Sequence, residues 1–121
     1  MRALALLVLA ACSPVDAFDT ESSRVACHRY GECKGFDAEF TAADCVEEVT
    51  AWTRMVSDCS APACDFDAES ARACITNSRD EPCATVGNGD APADPACEAT
   101  WYNCDMEIVN RCIDDAVYGP G

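Results

Sequence analysis

Cysteine is the residue type with the most chemistry to offer in this chain. Eleven are spread along 121 residues: Cys12, Cys27, Cys33, Cys45, Cys59, Cys64, Cys74, Cys83, Cys97, Cys104 and Cys112. A thiolate can ligate zinc, attack an electrophile, run a redox couple or be oxidised to a disulfide. Spacing separates these uses. Zinc knuckles and thioredoxin-like couples use Cys-x-x-Cys; here the closest cysteines have four and five residues between them. Cys27-His28 sets a thiol beside a base, but helix neighbours point about 100° apart and do not face each other. Asp65, Asp67 and Glu69 alternate like the start of a calcium loop. Ser70, however, stands where that loop turns on Gly, and Thr76 where it needs a bidentate Glu. Glu47-Glu48, Asp80-Glu81 and Asp114-Asp115 read as solvated acidic surface. There is no phosphate-cradling Gly-rich loop, no Gly-x-Ser-x-Gly and no His-Glu-x-x-His. The sequence thus assigns no catalytic residue, no cofactor and no metal site. Disulfide formation is the use that the cysteine spacing leaves.

Charge and composition agree with that use. Eight basic against 22 acidic side chains give a formal charge of −14. Such a field repels phosphate, which argues against a nucleic-acid partner and against direct adhesion to bare anionic membrane. All four leucines (Leu4, Leu6, Leu7, Leu9) precede Cys12, and only eight Val, three Ile and four Phe follow it. So thin an apolar supply cannot offset backbone ordering of roughly 1–2 kcal/mol per residue. Cross-links, each worth about 2–4 kcal/mol, can.

The chain starts with Met1-Arg2 and a nine-residue apolar run, Ala3 to Ala11. That is too short to span a bilayer as a helix and has the length of a signal-peptide core. Its end, Leu9-Ala10-Ala11-Cys12, resembles the lipobox of bacterial lipoproteins. The resemblance implies removal of residues 1–11 and a lipid on Cys12. Ser13 in the next position implies an outer-membrane or cell-surface address. Ordinary secretion is the alternative, with Val15-Asp16-Ala17 directing a cut before Phe18. Either cut removes Cys12 from the disulfide pool and leaves an even ten, enough for five bridges.

A pass along the remaining chain predicts helices. Residues 12–20 read as a lipidated tether and residues 21–118 as one cysteine-rich domain ending in a 119–121 tail. A first helix is expected over residues 21–34, capped by Thr20 or Ser22 and stopped by Gly35. Thr41 and Asp44 approximate a capping box for a second, in which Cys45, Val49, Trp52, Val56 and Cys59 form one stripe. Asp67 can cap a third helix over residues 68–78. Residues 79–95 read as a loop pinned by Cys83. Asp94-Pro95 starts a fourth helix carrying Cys97, Trp101, Cys104, Ile108 and Cys112. Both tryptophans fall on cysteine stripes and read as core, with a partly exposed aromatic platform for a ligand as the alternative. If the first two helices form a hairpin, Cys33 and Cys45 lie near its turn and are the expected bridge there.

The middle of the chain carries a second resemblance. Cys64-Asp65-Phe66-Asp67-Ala68, Ala73-Cys74, Cys83 and Pro95-Ala96-Cys97 resemble the small cysteine-rich lipoproteins of myxobacteria, over about residues 24–104. That implies a class and a location, and no activity. The expectation is an all-α, disulfide-cross-linked bundle of about four helices with irregular loops. It is exported, held to a membrane through lipid on Cys12, and non-enzymatic, with a protein or glycan partner left open. A soluble disulfide-rich effector or inhibitor is the alternative. A small hydrolase built on His28 is a third class. Strong reductant should collapse the helical circular dichroism; an unchanged spectrum would show that the fold does not depend on its bridges.

Overall fold

A computed structural model describes residues 13–120 of the chain. The expected signal segment 1–11, the lipid acceptor Cys12 and the last tail residue, Gly121, lie outside the described residues. Within them the protein is all-α: five helices and one short strand pair.

Helix α1 runs Pro14–Cys33, seven residues longer at its start than the sequence predicts. Ser13 is its cap, in extended conformation, with its side chain accepting from the Asp16 amide at 3.5 Å, and Pro14 opens the first turn. Residues 14–20 are therefore helix and not tether. What holds them there is tertiary: Phe18 packs on Phe66, with ring centroids 6.0 Å apart. The stop at Gly35 is as expected. With φ +80° its amide returns to the carbonyls of Tyr30 and Gly31, a conformation that costs glycine little.

Helix α2 spans Ala42–Ser60 and forms a hairpin with α1. Both halves of its capping box are made: Asp44 N–H donates to Thr41 Oγ1 at 3.1 Å, and Thr41 N–H to Asp44 Oδ2 at 2.9 Å. Tyr30, Phe36 and Phe40 cluster at the hairpin turn with centroids 5.6–6.0 Å apart. Gly31 lets Phe36 lie against α1, since a Cβ there would sit 2.6 Å from its ring.

Strand β1 (Asp65–Phe66) leads into α3 (Ala68–Arg79), which Asp67 caps. Asp94-Pro95 opens a helix as expected, but the fourth helix is two. A short α4 (Pro95–Ala99) gives way to strand β2 (Trp101–Tyr102) and then α5 (Met106–Tyr118). Two residues account for the break. Asn103 adopts φ +52°, which asparagine tolerates better than most residues, and Asp105 caps a new helix. The strands pair antiparallel, Asp65 with Tyr102 and Phe66 with Trp101. Amide–carbonyl bonds extend the ladder on both sides, Asp105 N–H to Ala63 O and Asp67 N–H to Thr100 O, each 2.9 Å.

All ten described cysteines are paired: Cys27–Cys45, Cys33–Cys83, Cys59–Cys112, Cys64–Cys104 and Cys74–Cys97. The expected Cys33–Cys45 bridge is thus wrong. Six residues along a helix is about one and two-thirds turns, so Cys27 and Cys33 face different neighbours. Cys27 faces α2 and is buried, whereas Cys33 meets the loop after α3. That loop is also held by Arg29, whose Nε donates to Glu81 O at 2.8 Å, and by the buried Val86. The last three bridges are nested one inside another. They fasten residues 59–74 against 97–112 as an antiparallel zipper with the strand pair at its centre.

Nesting shortens the loop that each bridge really closes. Cys59 and Cys112 are 53 residues apart, but the route through the neighbouring bridge is short: five residues to Cys64, then eight from Cys104. Replacing both cysteines by Ala should cost about 3 kcal/mol, the value for a loop of about fifteen residues, not the more than 4 kcal/mol of the full separation. Chemical denaturation of the otherwise oxidised protein measures it.

Candidate functional site

The core is small and half polar. Its apolar members are Val25, Ala71, Val86 and Val109 together with Cys27, Cys45, Cys59 and Cys74. Asp19, Ser23, Ser57, Ser60 and Thr100 are buried beside them. Four of these polar residues lie in α1 and α2, the helices of the hairpin. Asp19 exposes only 2% of its surface, and its Oδ1 accepts from Ser57 Oγ at 2.6 Å. Ser23 Oγ donates to the Asp19 carbonyl at 2.7 Å and lies 3.4 Å from Thr53 Oγ1. A carboxyl here is unusual, since a buried charge is costly without a cationic partner. Burial pushes the Asp19 carboxyl above the usual carboxylate range, against the Ser57 hydrogen bond, which favours the ionised form. Asp16 and Asp58 add to the rise and Arg54 opposes it. The sequence does not reveal this site, because Asp19 falls in the stretch that composition marks as tether.

The cap carboxylates move the other way. Thr41 N–H and Oγ1 hold Asp44 below the usual range, and the Ser70 hydroxyl, 2.6 Å away, does the same for Asp67. Asp67 is thereby committed to α3, while Asp65 accepts from Asn103 Nδ2 at 3.2 Å. The calcium-like alternation does not converge on a centre. Among the described residues no group of three or more His, Cys, Asp and Glu is placed to hold a metal ion.

His28 and Cys27 are not brought together either. Cys27 is buried in its bridge to Cys45, and the His28 side chain is 79% exposed, 3.6 Å from Glu32. The tryptophans part company. Trp101 is half-buried with its ring 5.0 Å from Phe66, whereas Trp52 is 55% exposed and is not core. The buried stripe of α2 runs through Cys45, Ser57, Cys59 and Ser60, with Thr53 and Val56 partly covered. Trp52 stands at its edge.

An open groove of about 570 Å³ lies between the first turns of α1 and α3. Phe18, Phe66, Ala71 and Ile75 make its apolar floor, with Asp16, Glu21 and Arg72 around it. It lies within the size range of small-molecule sites, but no polar groups converge in it as they do in a catalytic cleft. No helix among the described residues is long and apolar enough to cross a membrane. Comparison with known protein families, with curated proteins and with solved structures finds no match for the chain.

The unequal tryptophans are testable. Trp101→Ala should cost about 2–3 kcal/mol, somewhat less than for a fully buried ring, whereas Trp52→Ala should change stability by no more than about 0.5 kcal/mol. Denaturant midpoints of the two variants decide it.

Proposed function

We propose that the chain is an exported, non-enzymatic module held to the outer membrane or cell surface by lipid on Cys12, where it binds or supports a partner. Five bridges support export, because disulfides persist in oxidising compartments and are reduced in the cytosol. The observation that carries the anchored form is the start of α1. Ser13 is the helix cap and Pro14 its first residue. A cut before Cys12 leaves cap and helix whole and puts the acceptor one residue from a rigid element. A cut before Phe18 would remove the cap and the first turn, whose Pro14, Asp16 and Ala17 line the groove beside α3. Attachment through several acyl chains is far stronger than through one, and the acidic body would stand clear of an anionic leaflet.

The non-enzymatic part of the reading rests on the chemistry at hand. The ten described cysteines are all bridged, the histidine is exposed, and the buried carboxyl meets only a serine hydroxyl. Intact mass of the protein from the membrane fraction of its own cells tests the anchor. The expected product starts at Cys12 with acyl mass, and Cys12→Ser abolishes that mass and the membrane attachment. A soluble product starting at Phe18 would overturn the reading in favour of a secreted effector or inhibitor.

A further inference from the structure

Helix α1 is held unequally along its length. Its two bridges leave from Cys27 and Cys33, in the C-terminal half. The thirteen residues Pro14–Ala26 carry none. This half rests on noncovalent contacts alone: Phe18 on Phe66, the buried Val25, the surface ion pair of Glu21 with Arg79 at 2.9 Å, Ser23 near Thr53, and Asp19 with Ser57. The ion pair is exposed and contributes little. Asp19 is therefore the contact whose strength can change most.

The surroundings of Asp19 decide the direction of that change. On α1 the charge that acts on it is Asp16, one turn away. From α2, Arg54 and Asp58 act on it with opposite signs. On α3, Arg72 lines the groove with Asp16 and Glu21, and Arg79 is engaged by Glu21. Ser57 is the one side chain that donates to the carboxyl among the described residues. A neutral carboxyl suits this buried, hydroxyl-lined seam; a carboxylate in it lacks a bonded cation and is better solvated outside.

We propose that Pro14–Ala26 is a proton-governed arm, docked along α2 while Asp19 is protonated and loosened when Asp19 gives its proton to solvent, with Cys27–Cys45 and Cys33–Cys83 acting as the fixed hinge end. The arm forms one wall of the apolar groove against α3, so loosening it exposes Phe18 and Phe66. The sign follows from linkage. The docked state holds the proton more tightly than the free arm does. Docking stability is thus complete below the ordinary aspartate range and is lost as pH rises through the docked-state value. Asp44 and Asp67 act oppositely, stabilising α2 and α3 once ionised and losing that contribution as pH falls. Global stability therefore mixes both signs, and the measurement has to be local.

Amide hydrogen exchange of the intact oxidised protein supplies it, at about pH 4 and about pH 7.5, each corrected for the intrinsic chemical rate. Amides within 15–26 should lose protection at the higher pH, while those of 27–33 hold. Asp19→Asn keeps the shape of the side chain and should abolish the difference. Ser57→Ala removes the donor that favours the ionised form and should move the loss to higher pH. Equal protection of 15–26 at both values overturns the proposal, as does a loss shared equally by 27–33. Persistence of the difference in Asp19→Asn overturns it too. The wild-type comparison decides by itself if a variant does not fold.

Discussion

Sulfur–sulfur bonds do in this protein what packed leucine does in an ordinary helical domain. A core of four cysteines, three valines and an alanine buries too little apolar surface to hold five helices in place. The bridges act on the other side of the balance by restricting the unfolded chain. Their arrangement matters as much as their number. Three of them are nested around a four-residue strand pair, so that the second half of the chain is closed in short steps. The two others tie the first hairpin to itself and to the long loop that follows α3.

Cross-linking at chosen points leaves the rest of each helix free to use weaker contacts. This explains how a bundle of this size accommodates five buried polar residues, one of them a carboxyl. Two are tied locally, Ser23 Oγ to the Asp19 carbonyl and Thr100 Oγ1 to the Ala96 carbonyl, each one turn back, while Ser57 and Asp19 bond each other across the hairpin. The seam between α1 and α2 is consequently polar at the open end and covalent near the hairpin turn. The same division runs through the groove, whose one wall is the unbridged half of α1.

Local signals proved legible wherever a few neighbouring residues decide the outcome. The Thr41/Asp44 box, the Asp67 cap, the Asp94-Pro95 start and the Gly35 stop are each settled within four residues, and each is found where the sequence puts it. The three cysteines of the expected fourth helix bond to α3, to the turn before β1 and to α2. The misreadings share another cause. Heptad-like spacing continued through Trp101 and Cys104, so the segment looked like one helix. Pairing of β2 with β1, more than thirty residues earlier, breaks it. Residues 14–20 looked like tether because their apolar content is slight, and they are helical because Phe18 and Asp19 find partners on β1 and α2.

From sequence alone come the helical class, most helix ends, the acidic surface and the expectation that ten cysteines are oxidised in pairs. Those properties depend on composition and on bonds spanning one turn. Which cysteine meets which, where the last helix breaks, and that Asp19 sits buried beside Ser57 depend on the angle at which each helix presents its faces. Between Cys27 and Cys33 that angle is most of a half-turn, enough to send two cysteines of one helix to different partners. Only the assembled fold sets those orientations, because only there do side chains far apart in the chain compete for the same space.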